Sequence, residues 1–193
     1  MKRNPTIQCL YFVGLESATQ PTRLGTVEMT ELLQAQVRSI GEHYAVARLT
    51  ALGFIVGLAP ENTKAVDIIA MADDGKRNLQ IQVKTRSEGR SADKGWMMKE
   101  KHETLVNDNL YYIFVTLPEK WTDRDQPITF IIPSKKVAAI LKRSHKDWTS
   151  SPGRNGQKRN DTKMRRIKPV YADSPSIPSN WMEEYRNKWD ILR

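Results

Sequence analysis

The chain has 193 residues, enough for one well-buried core with sequence left over for tails or an accessory element. Its 31 Lys and Arg against 22 Asp and Glu give a formal net charge of +9, which points to polyanionic partners, nucleic acid first and acidic membrane surfaces second. The lone cysteine, Cys9, excludes an intramolecular disulfide or a thiolate metal cluster and fits a reducing cytoplasm, and the longest apolar run, residues 110–117, is far too short to span a bilayer.

Residues 1–28 read as a flexible leader. Lys2 and Arg3 precede an apolar stretch over 7–15, but Gln8 interrupts it and no small-x-small cleavage site follows, so a signal peptide is the weaker reading. Met29 is an alternative start, because helical patterning begins just beyond it. Over residues 30–52 the spacing predicts a helix with two apolar stripes, Leu33, Val37, Ile40 and Tyr44 on one and Ala45, Val46, Leu49 and Leu52 on the other. Gly41 reads as a break between the stripes and Gly53 as the stop signal. Glu42 falls on the second, core-facing stripe, an odd place for an acid.

Short strands are expected over 54–58, 65–71 and 78–85, the last two joined as a hairpin through the turn Asp73-Asp74-Gly75. Residues 87–95 read as a polar loop and 96–106 as a helix. A buried strand over 110–117, a strand over 128–132 and a helix over 134–143 capped by Ser134 follow. The segment 149–168 holds Arg154, Lys158, Arg159, Lys163, Arg165, Arg166 and Lys168 against one acid, Asp161, and reads as a mobile basic loop. A final helix over 179–192 would carry Trp181, Tyr185 and Trp189 at i, i+4 and i+8, a core-packing face before a base-stacking one. The sequence thus predicts a mixed α/β domain: leader 1–28, core 29–148, basic loop 149–169 and a C-terminal helical segment 170–193 packed on the core.

Side chains alternate along a strand, so Gln82 and Lys84 in Ile81-Gln-Val-Lys-Thr85 share one face while Leu79, Ile81 and Val83 share the other. Asp67 lies inside the apolar run Ala65-Val-Asp-Ile-Ile69, where a carboxylate is costly unless a metal ion or Lys84 neutralises it. Three unrelated elements each place an awkward polar group where an apolar residue is expected, a pattern that marks functional sites. Taken singly, each has a plainer reading: Asp67 as a turn former, Glu42 as a solvated first-turn acid, Gln82 and Lys84 as the wet face of a half-exposed strand. His43, His102 and His145 show no ligand spacing, and no phosphate-cradling glycine loop, triad elbow or zinc pattern is present.

The stretch from Gly41-Glu-His-Tyr-Ala to Leu-Gly-Phe54, then Val66-Asp-Ile-Ile-Ala70, then Ile81-Gln-Val-Lys-Thr85, resembles the PD-(D/E)XK nuclease superfamily of restriction endonucleases, Holliday-junction resolvases and certain homing endonucleases. The resemblance spans about residues 41–116. It implies a restriction-endonuclease-like α-β-β-β-α-β core, a mixed sheet flanked by helices, and a metal-dependent phosphodiesterase site. On that pattern Glu42 matches the helix acid, Asp67 the first strand acid and Lys84 the motif lysine. Gln82 departs from it, standing where Asp or Glu is usual, as in the Gln variant carried by some homing endonucleases; an amide oxygen ligates a hard cation but brings no charge. Glu100 and Glu103 are nearby acids that could compensate, with a solvated face as their plainer role.

The resemblance implies that Asp67, Gln82, the Val83 carbonyl and Glu42 hold Mg²⁺, with Mn²⁺ as a substitute, and that Lys84 orients water or stabilises the transition state. The expected product end is a 5′-phosphate. DNA is the expected partner, with RNA left open, and a homodimer that cuts both strands is an option the family allows. Arg86, Arg90 and Lys94 stand beside the motif as phosphate contacts, and Arg154, Lys158, Arg159, Arg165 and Arg166 would add sequence-independent ones; a solvated cationic loop is their alternative. Loss of the acid at Gln82 keeps an inactive nucleic-acid-binding module on the same fold as the second reading.

Overall fold

The strand β5 (Leu110–Leu117) is buried at all eight positions, and the rest of the chain is arranged around it. In the computed structural model the described residues are 33–60, 63, 65–88, 95–120, 125–153, 155–172 and 174–193, all within the unit Glu31–Arg193. The expected leader and Met29 lie outside them. A helix α1 (Gln34–Ala51) precedes β1 (Phe54–Leu58), β2 (Ile68–Ala72) and β3 (Asn78–Ser87). Then come β4 (Trp96–Lys99), a 3₁₀ turn at Glu100–Glu103, β5, β6 (Ile128–Pro133), α2 (Ser134–Ser150) and β7 (Met164–Ile167).

The main sheet has the order β1-β2-β3-β5-β6, antiparallel throughout except for the parallel pair β3–β5. A parallel pair needs a long crossover, and the chain between Ser87 and Leu110 supplies one that also contains β4. Side chains of β5 alternate between two cores. Tyr111, Ile113, Val115 and Leu117 pack with Val37, Ala45 and Leu49 of α1 and with Leu79, Ile81 and Val83 of β3. Leu110, Tyr112 and Phe114 pack on the opposite face with Val137, Ile140 and Leu141 of α2 and with Trp96, Met98 and Ile167. The fold is therefore mixed α/β, a mixed central sheet with a helix on each face, as the sequence predicts.

Several local expectations are corrected. α1 is one continuous helix with a single buried stripe, Val37, Gly41, Ala45 and Leu49; Gly41 is part of the stripe and not a break. Glu42 borders that stripe, half-buried, and does not face the core. Residues 96–106 do not form a helix, although Met, Lys and Glu favour one. Trp96 and Met98 point inward and Met97 and Lys99 outward, the period-two pattern of β4, which pairs antiparallel with β7 in a separate two-stranded ribbon. The basic segment contains that β7, so it is part of a sheet and not only a loop. α2 runs past Arg143 to Ser150, and Ser134 is inside it: the cap position is Pro133, while the Ser134 hydroxyl donates to Asn107 O (2.8 Å) and accepts from Asn107 N (3.0 Å).

The C-terminal segment is not a helix either. It has two short 3₁₀ turns, Glu183–Tyr185 and Trp189–Leu192, separated by Asn187 in the left-handed region at φ 49°. The Asn187 side-chain oxygen accepts from Thr129 N (3.2 Å) and Thr129 Oγ1 (2.9 Å), and its own N–H donates to Thr129 O (2.8 Å). These bonds pin the segment along the free edge of β6 and divert the chain from one face of the sheet to the other. Trp181 consequently enters the α2-side core and Trp189 the α1-side core, where it meets Tyr44 edge-on at 6.4 Å.

Candidate active site

The site begins with a fork in the sheet. The Asp73-Asp74-Gly75 turn, with Gly75 at φ 70°, closes the β2–β3 hairpin in a register that places Ile68 opposite Ile81. One residue before β2, the Asp67 N–H donates to Ile81 O (2.8 Å) and the Asp67 carbonyl accepts from Ala59 N (2.8 Å). Beyond that point β2 has no residue left to pair with β3. The next β3 donor on that side, the Val83 N–H, bonds instead to the Asp67 carboxylate, 2.7 Å to Oδ2. The Gln82 amide Nε2 donates to the same oxygen. A carboxylate thus replaces a strand partner where two strands part, which explains an acid in an apolar run.

Lys84 follows on the same face of β3 as Gln82, and its ammonium donates to the Val83 carbonyl at 3.2 Å. Burial lowers the Lys84 pKa from the usual lysine value, with Arg38 and Lys101 pushing the same way against the attraction of Asp67 and Glu42. Glu42 is brought alongside by α1. Burial raises its pKa first, the Asp67 charge second, while Arg38, His43 and Lys84 act to lower it. Glu42, Asp67 and Lys84 are therefore coupled by charge, and hydrogen bonds join Gln82 and Val83 to Asp67 and Lys84.

Behind this group stands a buried polar pair that the sequence does not single out. Tyr112 of β5 is the register partner of Gln82, and its hydroxyl lies 2.7 Å from His102 Nδ1. The His102 pKa is depressed to about 4, by burial first and then by the charges of Lys84, Lys101 and Lys99. That imidazole is neutral at pH 7. Tyr112 is held protonated, by burial first and then by the charge of Asp67. Only register and crossover place these two rings beside Gln82, so no sequence spacing announces them.

The other expected residues are distributed unevenly. Arg86 continues the Gln82–Lys84 face of β3; its Nε donates to Thr116 Oγ1 (3.1 Å) and its guanidinium sits 4.3 Å from the Trp96 ring centroid. Arg90, Lys94 and Arg154 lie outside the described residues. Lys158 and Arg159 line a separate surface groove of about 660 Å³ with His145, Thr149, Asn160 and Asp161, which contains none of the five grouped residues. Arg165 is turned inward at 6% exposure and bonds Glu103, with Asp161 at 3.5 Å and Glu100 at 4.0 Å. Glu100 and Glu103 thus face Arg165. Arg166 is on the opposite, outer face of β7.

Among the described residues no three His, Cys, Asp or Glu side chains gather as a metal cage. The group at the fork offers a different donor set: two carboxylates, an amide oxygen and a backbone carbonyl. All are hard oxygen donors of the kind Mg²⁺ and Mn²⁺ take, and Mg²⁺ commonly uses one or two carboxylates and completes its shell with water and phosphate. The residues fit such an ion. No protein-family model matches the chain and no curated protein matches it. Among solved structures it is similar to a bacterial homing endonuclease, I-Ssp6803I, at 11% identity and a TM-score of 0.46, covering 83% of this chain and 91% of that one.

Proposed function

We propose that the chain is a Mg²⁺-dependent endodeoxyribonuclease of the restriction-endonuclease-like kind, with its centre at the β2–β3 fork. The observation that carries this reading is the Asp67 carboxylate standing in for a strand partner, with the Val83 carbonyl and the Lys84 ammonium converging beside it. Asp67, the Gln82 amide oxygen, the Val83 carbonyl and Glu42 would hold the ion, which supplies an activated water and charge neutralisation at the phosphate. The chain's own groups do the rest. Lys84, pinned by the Val83 carbonyl and partly desolvated, presents a fixed cation for charge that develops on the phosphate. Val83 N–H holds the Asp67 carboxylate in place before substrate arrives, so little reorganisation is needed on binding. Arg86, its guanidinium over the Trp96 ring, lies two residues along the same face as Lys84, placed for an adjacent phosphate.

A second reading has its own observation. Asp67 Oδ2 already accepts from both Gln82 Nε2 and Val83 N–H, an arrangement complete without a cation, which suits a DNA-binding module that does no chemistry. The deciding experiment incubates the purified chain with plasmid, linear, single-stranded and branched DNA in Mg²⁺, Mn²⁺ or EDTA, beside Asp67→Ala and Lys84→Ala. Cleavage that requires metal and drops at least a hundredfold in both variants supports the enzyme. Intact DNA throughout, with salt-sensitive binding retained in all three proteins, refutes it and favours the binding module.

A further inference from the structure

Arg165 and Arg166 are neighbours in sequence and opposites in the structure. β7 turns Arg165 into the protein and Arg166 out of it, because side chains alternate along a strand. Register pairs Met97 with Arg166 and Lys99 with Met164, so the outer face of the β4–β7 ribbon is a checkerboard of two thioethers and two cations. Both methionines are open to solvent, Met97 at 49% and Met164 at 46% exposure. The Arg166 Nη2 donates to Met97 Sδ at 2.9 Å, which holds the guanidinium on the face. None of the four residues is acidic. Among the described residues the acids nearest in sequence, Glu100, Glu103 and Asp161, are gathered on the inward Arg165.

The ribbon is also fixed relative to the candidate centre. Trp96 at its start donates from Nε1 to Val115 O (3.1 Å), packs on Phe114 at 5.1 Å and carries the Arg86 guanidinium. Arg86 is two residues beyond Lys84 on the same strand face. At the other end of β4, the Lys99 and Lys101 charges act on His102, the partner of Tyr112. A cationic two-stranded ribbon beside the candidate centre is an element that the major groove of B-form DNA admits, whereas the major groove of A-form RNA is too deep and narrow.

We propose that the outer face of the β4–β7 ribbon seats in the major groove of duplex DNA beside the bond to be cut, with Lys99 and Arg166 contacting the nucleic acid and Met97 and Met164 packing on base edges. For the identity of its ligand the proposal rests on the nuclease reading. Its test is binding of a fluorescein-labelled duplex by the full chain in EDTA, titrated with salt. The Lys99→Ala/Arg166→Ala variant should lose at least tenfold in affinity, and its slope of log affinity against log salt should fall by about 2. The Lys135→Ala/Lys142→Ala variant, which removes two exposed cations of α2, serves as the comparison and should keep wild-type affinity to within about twofold. DNA carrying glucosylated hydroxymethylcytosine, which fills the major groove, should bind at least tenfold more weakly than unmodified DNA, whereas netropsin in the minor groove should not compete. Wild-type affinity and slope in the ribbon variant overturn the proposal, as does netropsin competition with undiminished binding of glucosylated DNA. A wild-type chain that cleaves with metal while the ribbon variant binds unchanged removes the ribbon alone; a wild-type chain that neither binds nor cuts duplex DNA removes the nuclease reading with it.

Discussion

Gly41 of α1 lies directly against Thr85 of β3: a methyl group on Gly41 would sit 1.8 Å from Thr85 Oγ1 and 2.9 Å from its Cβ and Cγ2. The contact presses the helix onto the strand that carries Gln82 and Lys84, and it brings Glu42, the next residue, to the fork. Helix propensity alone would favour Gly41→Ala by about 1 kcal/mol. The overlap reverses the sign, since forcing a methyl into a packed core costs about 1–3 kcal/mol and here the nearest atoms belong to a short β-branched side chain. Gly41→Ala should therefore lower stability by up to about 2 kcal/mol in urea unfolding, and in a double-mutant cycle Thr85→Ala should recover about half of the loss. Additive losses would mean the two residues do not touch in solution. Thr85 Oγ1 is buried without a hydrogen-bond partner among the described residues, so the isosteric Thr85→Val should be neutral or stabilising.

Gln82 of β3 donates a hydrogen bond to Asp67, the residue just before β2. Gln82→Glu would put two carboxylates in the same place, and like charges opposite one another destabilise a sheet. In EDTA the variant should melt several degrees below wild type. A cation bound only by the folded state offsets that repulsion, so millimolar Mg²⁺ or Mn²⁺ should raise the variant's melting temperature more than the wild type's. Equal responses of both proteins to metal would count against a cation at the fork.

His102 gives the fold an acid limit. In the unfolded chain its imidazole takes up a proton near pH 6.5, whereas in the fold it stays neutral down to about 4. A base whose pKa is lowered on folding binds its proton first in the unfolded state. Stability contributed by the neutral ring is therefore complete above about pH 6.5 and declines as pH falls towards 4. The shift corresponds to about 3 kcal/mol. Urea unfolding at pH 7 and pH 4.5 should show most of that loss in wild type and little of it in His102→Phe. A pH dependence that survives the substitution unchanged would place the titrating group elsewhere.

The two arginines of β7 make a stability contrast. Arg165→Ala strips the partner from Glu103 and opens the ribbon's inner face, where breaking a buried ion pair costs about 3 kcal/mol. Arg166→Ala, on the outer face, should stay within about 0.5 kcal/mol of wild type. Thermal or urea unfolding of the two single variants compares them directly, and equal losses would contradict the inward–outward alternation.

Part of the geometry of the candidate site was legible because it depends on local rules. Asp73-Asp74-Gly75 joins two strand-like runs, so the hairpin could be read while its register could not, and the alternation in Ile81-Gln-Val-Lys-Thr85 put Gln82 and Lys84 on one face. Asp67 stood out as a carboxylate in an apolar run, although its job of capping Val83 N–H needed the strands to part at that residue. The local rules misread residues 96–106 and 179–192. Trp96-Met-Met-Lys99 is built of tolerable helix formers, and only pairing with Met164–Ile167 selects a strand. Trp181, Tyr185 and Trp189 keep helical spacing, yet the Asn187–Thr129 bonds break the chain's direction between them.

The sequence by itself determined the element order on either side of those segments, the basic charge and the polar residues of the fork, because short-range periodicity and turn chemistry act within a few residues. The tertiary structure alone decided that Tyr112 and His102 stand behind Gln82, that Gly41 is a point of contact and not a break, and that adjacent arginines face opposite ways. Each of those depends on which distant segment arrives as a neighbour, and that is set by burial of the two faces of β5 and by long-range pairing, which no local window of sequence contains.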